Sequence, residues 1–180
     1  MPRKKSWKAN RDFVLYVSTI PQEAIDAFRA YKTKKGDSLR LGVIVHNKHR
    51  YSEEKLAPYD VVIRANLNSP KSIIKNLKPH EDSLLAISCR SEQRMQHFKK
   101  IIPYVPFLRT PTADSIDWAT DKLKMRRRFH AYDSSITPKY SIAKDSTKET
   151  IAKIKKKVGF PLVVKPASLA SSLLVTLCFH

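Results

Sequence analysis

Four short apolar runs, rich in β-branched and aromatic residues, constrain the first half of this chain more than any other feature. They are residues 13–17 (FVLYV), 41–46 (LGVIVH), 59–65 (YDVVIRA) and 83–88 (SLLAIS). Runs of that length and type read as buried strands. Segments of helical spacing lie between them. Pro21 opens one, in which Ile20, Ala24, Ala27, Phe28 and Tyr31 share a face. Gly36 follows its basic end, where Lys32, Lys34 and Lys35 suit the helix dipole. Another helix is expected near residues 91–102, with Met95, Phe98 and Ile102 on one side. Short apolar strands alternating with helices predict an α/β fold: a parallel sheet with helices packed on it.

Composition then removes several function classes. Only three glycines occur in 180 residues, Gly36, Gly42 and Gly159. Neither the dinucleotide fingerprint G-x-G-x-x-G nor a P-loop can be written from them. A hydrophobic share of 42% is enough to build a core, which argues against wholesale disorder. No apolar run approaches the roughly 20 residues of a membrane span. Residues 1–10 (MPRKKSWKAN) read as a flexible basic arm, and residues 12–20 are too short and strand-like for a signal sequence. Two cysteines, Cys89 and Cys178, cannot form a disulfide framework, so a reduced, cytoplasmic protein is expected.

The texture changes near residue 103, where Pro103, Pro106 and Pro111 mark a connector. An amphipathic helix is expected over about 115–129, its Trp118, Met125 and Phe129 stripe facing a core. Residues 140–143 read as a strand, and 147–158 as a helix with Ile151, Ile154 and Val158 on its apolar side. Two further strands, 160–165 and 173–179, flank a small-residue loop and suit an antiparallel pair. The expected organisation is the arm, a first domain over 11–110, and an α+β unit over 115–180. The last strand runs into the C-terminus with no layer to cover it, so the chain reads as cut short.

The segment 158–175, VGFPLVVKPASLASSLLV, carries the chemistry. Lys165 ends a strand beside a loop of Ala167, Ser168, Ala170, Ser171 and Ser172. Small residues let backbone N–H groups approach an anion, the hydroxyls add donors, and an ammonium supplies a compact counter-charge. An ordinary Ser-rich hairpin has the same composition, so the loop alone leaves both readings open.

The order of motifs around this loop resembles the ATP-grasp family. Gly159-Phe160-Pro161 and Val163-Val164-Lys165-Pro166 match its apolar strand; Ser171-Ser172 and Val175 match the small-residue loop after it. Upstream, Asp121-Lys122 resembles the family's Asp-Lys at a helix start, followed by a Pro-bearing strand (Thr137-Pro138-Lys139-Tyr140) and a further helix. Residues 11–110 are similar to the Rossmann-like domain that precedes an ATP-grasp module. The resemblance implies a carboxylate–amine ligase working through an acyl-phosphate, with ATP and Mg²⁺ and a small carboxylate substrate. It implies that Lys122 and Lys165 contact the nucleotide phosphates and that Ser171 and Ser172 lie in the loop closing over them. Two positions depart from the pattern: Ala170 and Leu174 stand where the family usually has Gly. The family's metal ligands and adenine hinge fall beyond residue 180, so the chain as given is expected to be inactive, with no metal ligand or catalytic residue assigned within it.

A net charge of +19 raises a rival reading, a basic module that holds nucleic acid or another polyanion without catalysis. The surplus is spread over residues 1–114 and 115–180 alike, and aromatics do not interleave with the basic clusters as base stacking requires. Lys153, Lys155, Lys156 and Lys157 read as the solvated end of a helix, whereas the denser 122–128 cluster could face phosphates. His46 and His49 (HNKH) are half of a metal site at best, with Lys48 and Arg50 repelling a cation. Cys89 reads as a small core residue.

Overall fold

The computed structural model describes residues 11–32, 36–167 and 173–179. By internal contacts the chain divides into unit 1, Met1–Ile116, and unit 2, Asp117–His180.

Unit 1 is built on four parallel strands: β1 (Phe13–Val17), β2 (Arg40–His46), β3 (Val61–Ala65) and β4 (Leu84–Ser88), in the spatial order β3-β2-β1-β4. The expected parallel α/β plan is therefore borne out. β2 is buried along almost its whole length, as a strand covered on both faces must be. One face carries Phe13, Leu15, Val17, Ile44, Ile63, Ala65, Leu84 and Ile87, packed with Ile73, Leu77, Phe98 and Ile101. The other carries Leu41, Val43 and Val45, packed with Ile25, Leu56 and Tyr59. Helices α1 (Gln22–Ala30) and α2 (Glu53–Leu56) thus cover one face; α3 (Pro70–Leu77) and α4 (Met95–Ile101) cover the other.

Local chemistry sets several boundaries. Ser69 caps α3, accepting from the Ser72 amide, and Pro70 takes the first helical position. The helix opened by Pro21 ends at Ala30, earlier than its basic tail suggests; Lys34 and Lys35 lie outside the described residues. The expected 91–102 helix is shorter too, with 3-10 turns at Glu92–Arg94 and Ile102–Tyr104 flanking α4. At the amino ends of the strands, Arg40 grips Asp12 through two bonds, 2.7 and 2.8 Å. Arg29 grips Asp60 at 2.8 and 3.0 Å, and Asp60 also accepts the Leu41 amide.

The single helix expected over 115–129 is two: α5 (Ala113–Thr120) and α6 (Lys122–Tyr132). Asp121 breaks it, because its carboxylate caps the new helix by accepting from the Leu123 and Lys124 amides. The Trp118–Met125–Phe129 stripe is not core. Trp118 and Phe129 are exposed, and the Arg128 guanidinium lies 4.3 Å from the Trp118 ring centroid. Residues 140–143 form no strand, since no described neighbour offers them a ladder. Thr147 caps α7 (Lys148–Lys157), whose last turn presents Lys155, Lys156 and Lys157 to solvent. β5 (Leu162–Val164) and β6 (Thr176–Cys178) pair antiparallel, Val163 opposite Leu177. Val163, Val164, Leu177 and Phe179 all remain exposed.

Candidate nucleotide site

α7 ends on a glycine. Gly159 adopts φ 84°, the left-handed conformation that terminates helices, and its amide donates to the Lys155 carbonyl. The chain turns through Phe160 and Pro161 into β5 and delivers Lys165 immediately after the strand, exposed. No described residue pairs with its ammonium. Two residues on, the Ala167 carbonyl accepts the Lys122 amide at 3.0 Å. That bond ties the first turn of α6 to the loop after β5. Two residues of chain span at most about 7 Å, so the backbones at Lys122 and Lys165 are close neighbours. The fold therefore brings together two lysines that are 43 positions apart in sequence.

The N-terminus of α6 is fully occupied by protein groups. Lys122 donates to Ala167, Leu123 and Lys124 donate to the Asp121 carboxylate, and Met125 donates to the Asp121 carbonyl. An anion here would meet side-chain ammonium groups rather than bare helix amides. Lys124 is drawn away by Asp117, 2.6 Å from its Nζ. Ala170, Ser171 and Ser172 lie outside the described residues. Leu174, one of the two departures from the family's glycines, takes φ 56°, the conformation in which glycine is unstrained.

In unit 1, His46 and His49 meet with ring centroids 5.5 Å apart, and His97 of α4 comes within 5.8 Å of His46. Sequence spacing gives no hint of His97, because only the sheet order carries α4 over the end of β2. Even so, no grouping of three or more His, Cys, Asp or Glu suited to a metal occurs among the described residues. Cys89 is half-buried, and burial pushes its thiol up. No described helix is long and apolar enough to cross a membrane.

No family model matches the chain, and no curated protein matches it by sequence. Solved structures do. An L-amino acid ligase from Bacillus licheniformis superposes with a TM-score of 0.59 at 12% identity, over 95% of this chain and 40% of its own. Phosphoribosylglycinamide synthetase from Anaerococcus prevotii gives 0.58 at 13% identity, over 94% and 39%. The biotin carboxylase domain of Hydrogenobacter thermophilus 2-oxoglutarate carboxylase, solved with MgADP, ADP and bicarbonate, gives 0.61 at 17%, over 94% and 38%. All three are ATP-grasp enzymes. The chain thus has the fold of the N-terminal part of an ATP-grasp ligase and spans about 40% of the length of the first of these enzymes.

Proposed function

We propose that this chain is the part of an ATP-dependent carboxylate–amine ligase that grips the nucleotide phosphates, with Lys122 and Lys165 as the gripping residues. The observation that carries the reading is the bond from the Lys122 amide to the Ala167 carbonyl, which joins the two lysine-bearing segments. The shared fold with three ATP-grasp enzymes supports it. In such a reaction a substrate carboxylate oxygen attacks the γ-phosphorus of ATP, the bond to ADP breaks, and an acyl-phosphate forms. An amine then attacks the acyl carbon, phosphate leaves, and the amine proton passes to solvent. Two ammonium groups beside the transferring phosphoryl lower its charge cost at both ends of the displacement. Ser171 and Ser172, which lie outside the described residues, supply hydroxyl donors to the same phosphates in this reading. The Mg²⁺ that accompanies ATP in such enzymes neutralises phosphate charge. The described residues contain no carboxylate cluster to hold it, and no step here is routed through it.

Calorimetric titration with MgATP tests the assignment. Lys165→Ala and Lys122→Ala should each weaken ATP binding by about tenfold or more, the scale of a charge-assisted hydrogen bond. Unchanged affinity in both variants would sink it. Substituting Lys153 or Lys156, on the solvent side of α7, should leave ATP affinity as it was.

A further inference from the structure

Asp121 stands between two helices and bonds to both. Its amide donates to the Asp117 carbonyl at 3.2 Å, closing the last turn of α5. Its own carbonyl accepts the Met125 amide at 2.9 Å, opening the first turn of α6. One oxygen of its carboxylate accepts the Leu123 amide at 2.8 Å and the Lys124 amide at 3.0 Å. Its backbone is extended, and that single extended step separates the two helices. Across the step the Lys124 ammonium reaches back to the Asp117 carboxylate at 2.6 Å.

The step decides where the Lys122 amide goes. In a continuous helix this amide would donate four residues back, to the Trp118 carbonyl. Here it donates to the Ala167 carbonyl at 3.0 Å and so reaches the loop after β5. Nothing in the surrounding pattern calls for a break. Residues 113–132 contain neither proline nor glycine, and Trp118, Met125 and Phe129 keep one helical stripe across the step. The capping carboxylate and the bond to Ala167 are what hold the two helices apart.

Given the assignment of Lys122 and Lys165 to the nucleotide phosphates, on which this rests, we infer that Asp121 is a positioning residue of that site. By keeping α5 and α6 apart it delivers the Lys122 amide to Ala167 and holds Lys122 beside the segment that carries Lys165. Asp121 binds no phosphate itself. A carboxylate next to Lys122 repels an anion, so its charge and its capping bonds push ATP affinity in opposite directions. The two effects are separable. Asparagine at 121 keeps a capping acceptor and loses the charge. Alanine loses both and, as the best helix former, favours running α5 into α6.

Calorimetric titration of the whole chain with MgATP, alongside far-UV circular dichroism, provides the test. Asp121→Ala should weaken binding by about three- to tenfold, the scale of a lost helix cap, with the helical signal undiminished. Asp121→Asn should bind at least as tightly as the unaltered chain. Thr147 caps α7 by accepting the Thr150 amide, so Thr147→Ala removes a comparable cap from another helix. It should lower the thermal midpoint and leave ATP affinity unchanged. Asp121→Ala binding as tightly as the unaltered chain, or more tightly, overturns the proposal. So does a loss in Asp121→Asn equal to that in Asp121→Ala, an equal weakening by Thr147→Ala, or a fall in helical signal that accompanies the weakening. Lys122→Ala distinguishes this proposal from the site assignment beneath it. If that variant binds MgATP at full strength, the nucleotide assignment fails and positioning falls with it. If it weakens binding and Asp121→Ala does not, positioning alone falls.

Discussion

Gly42→Ala adds one methyl group to the middle of β2, and its cost follows from what surrounds that position. A Cβ there collides with the edge of the Phe13 ring and lies 3.3 Å from a Leu15 methyl. Phe13 and Leu15 are both fully buried. The Phe13 ring cannot simply swing away. The His80 ring sits 5.4 Å from it, and the Arg40 guanidinium lies 5.5 Å from its centroid, held in place by the two bonds to Asp12. Forcing an extra carbon into a packed core costs about 1–3 kcal/mol. Replacing glycine within a strand returns about 0.5–1 kcal/mol, because the unfolded chain loses freedom. Taken at the middle of both ranges, the net expectation is a loss of about 1 kcal/mol, read as a lower urea midpoint with an unchanged slope in far-UV circular dichroism. Phe13→Leu shrinks the obstructing ring, so the double variant should be less destabilised than the two single losses added together. The coupling should reach at least about 0.5 kcal/mol. Gly42→Ala at full stability would refute the reasoning, as would a double variant whose losses simply add.

Three further outcomes follow from the same structure. Leu174→Gly relieves a left-handed leucine and should stabilise unit 2 by up to about 1 kcal/mol, less the entropy glycine loses on folding; a clear loss of thermal stability would contradict the strain argument. Arg40 holds Asp12, and Arg29 holds Asp60, below the ordinary carboxylate value of 3.8, so the unfolded chain takes up protons first as pH falls. Their stabilisation is complete above pH 3.8 and is lost below it; Asp12→Asn together with Asp60→Asn should flatten that acid limb. Burial, reinforced by nearby positive groups, holds His46 and His97 below 6.5. Stability is therefore complete above pH 6.5 and falls as pH drops through it, and His46→Gln should shrink this upper limb in unfolding titrations.

Much of unit 1 was legible because burial on both faces demands continuous apolar strands, and FVLYV, LGVIVH and SLLAIS have little else to be. The short helices α2 and α3 were not read from the pattern, although Ser69-Pro70 carries a helix-start signal. Unit 2 was harder. Asp121 divides what periodicity joins, because one carboxylate accepting two amides outweighs a weak apolar stripe. The stretch 140–143 has strand-like residues but no neighbour to pair with, and a strand is defined by its neighbour.

By itself, the order of residues determined the strand–helix alternation, the lack of any glycine fingerprint, and the motifs around Lys122, Lys165 and the loop of Ser171 and Ser172. Those properties are local: each depends on a few consecutive side chains and the spacing between them. Tertiary structure alone decided that β4 lies beside β1, which carries His97 to His46. It also decided that Lys122 meets the loop after β5 and that Leu174 is left-handed. Such contacts join residues far apart in the chain, and which of them meet is settled by the packing of whole elements rather than by any local run.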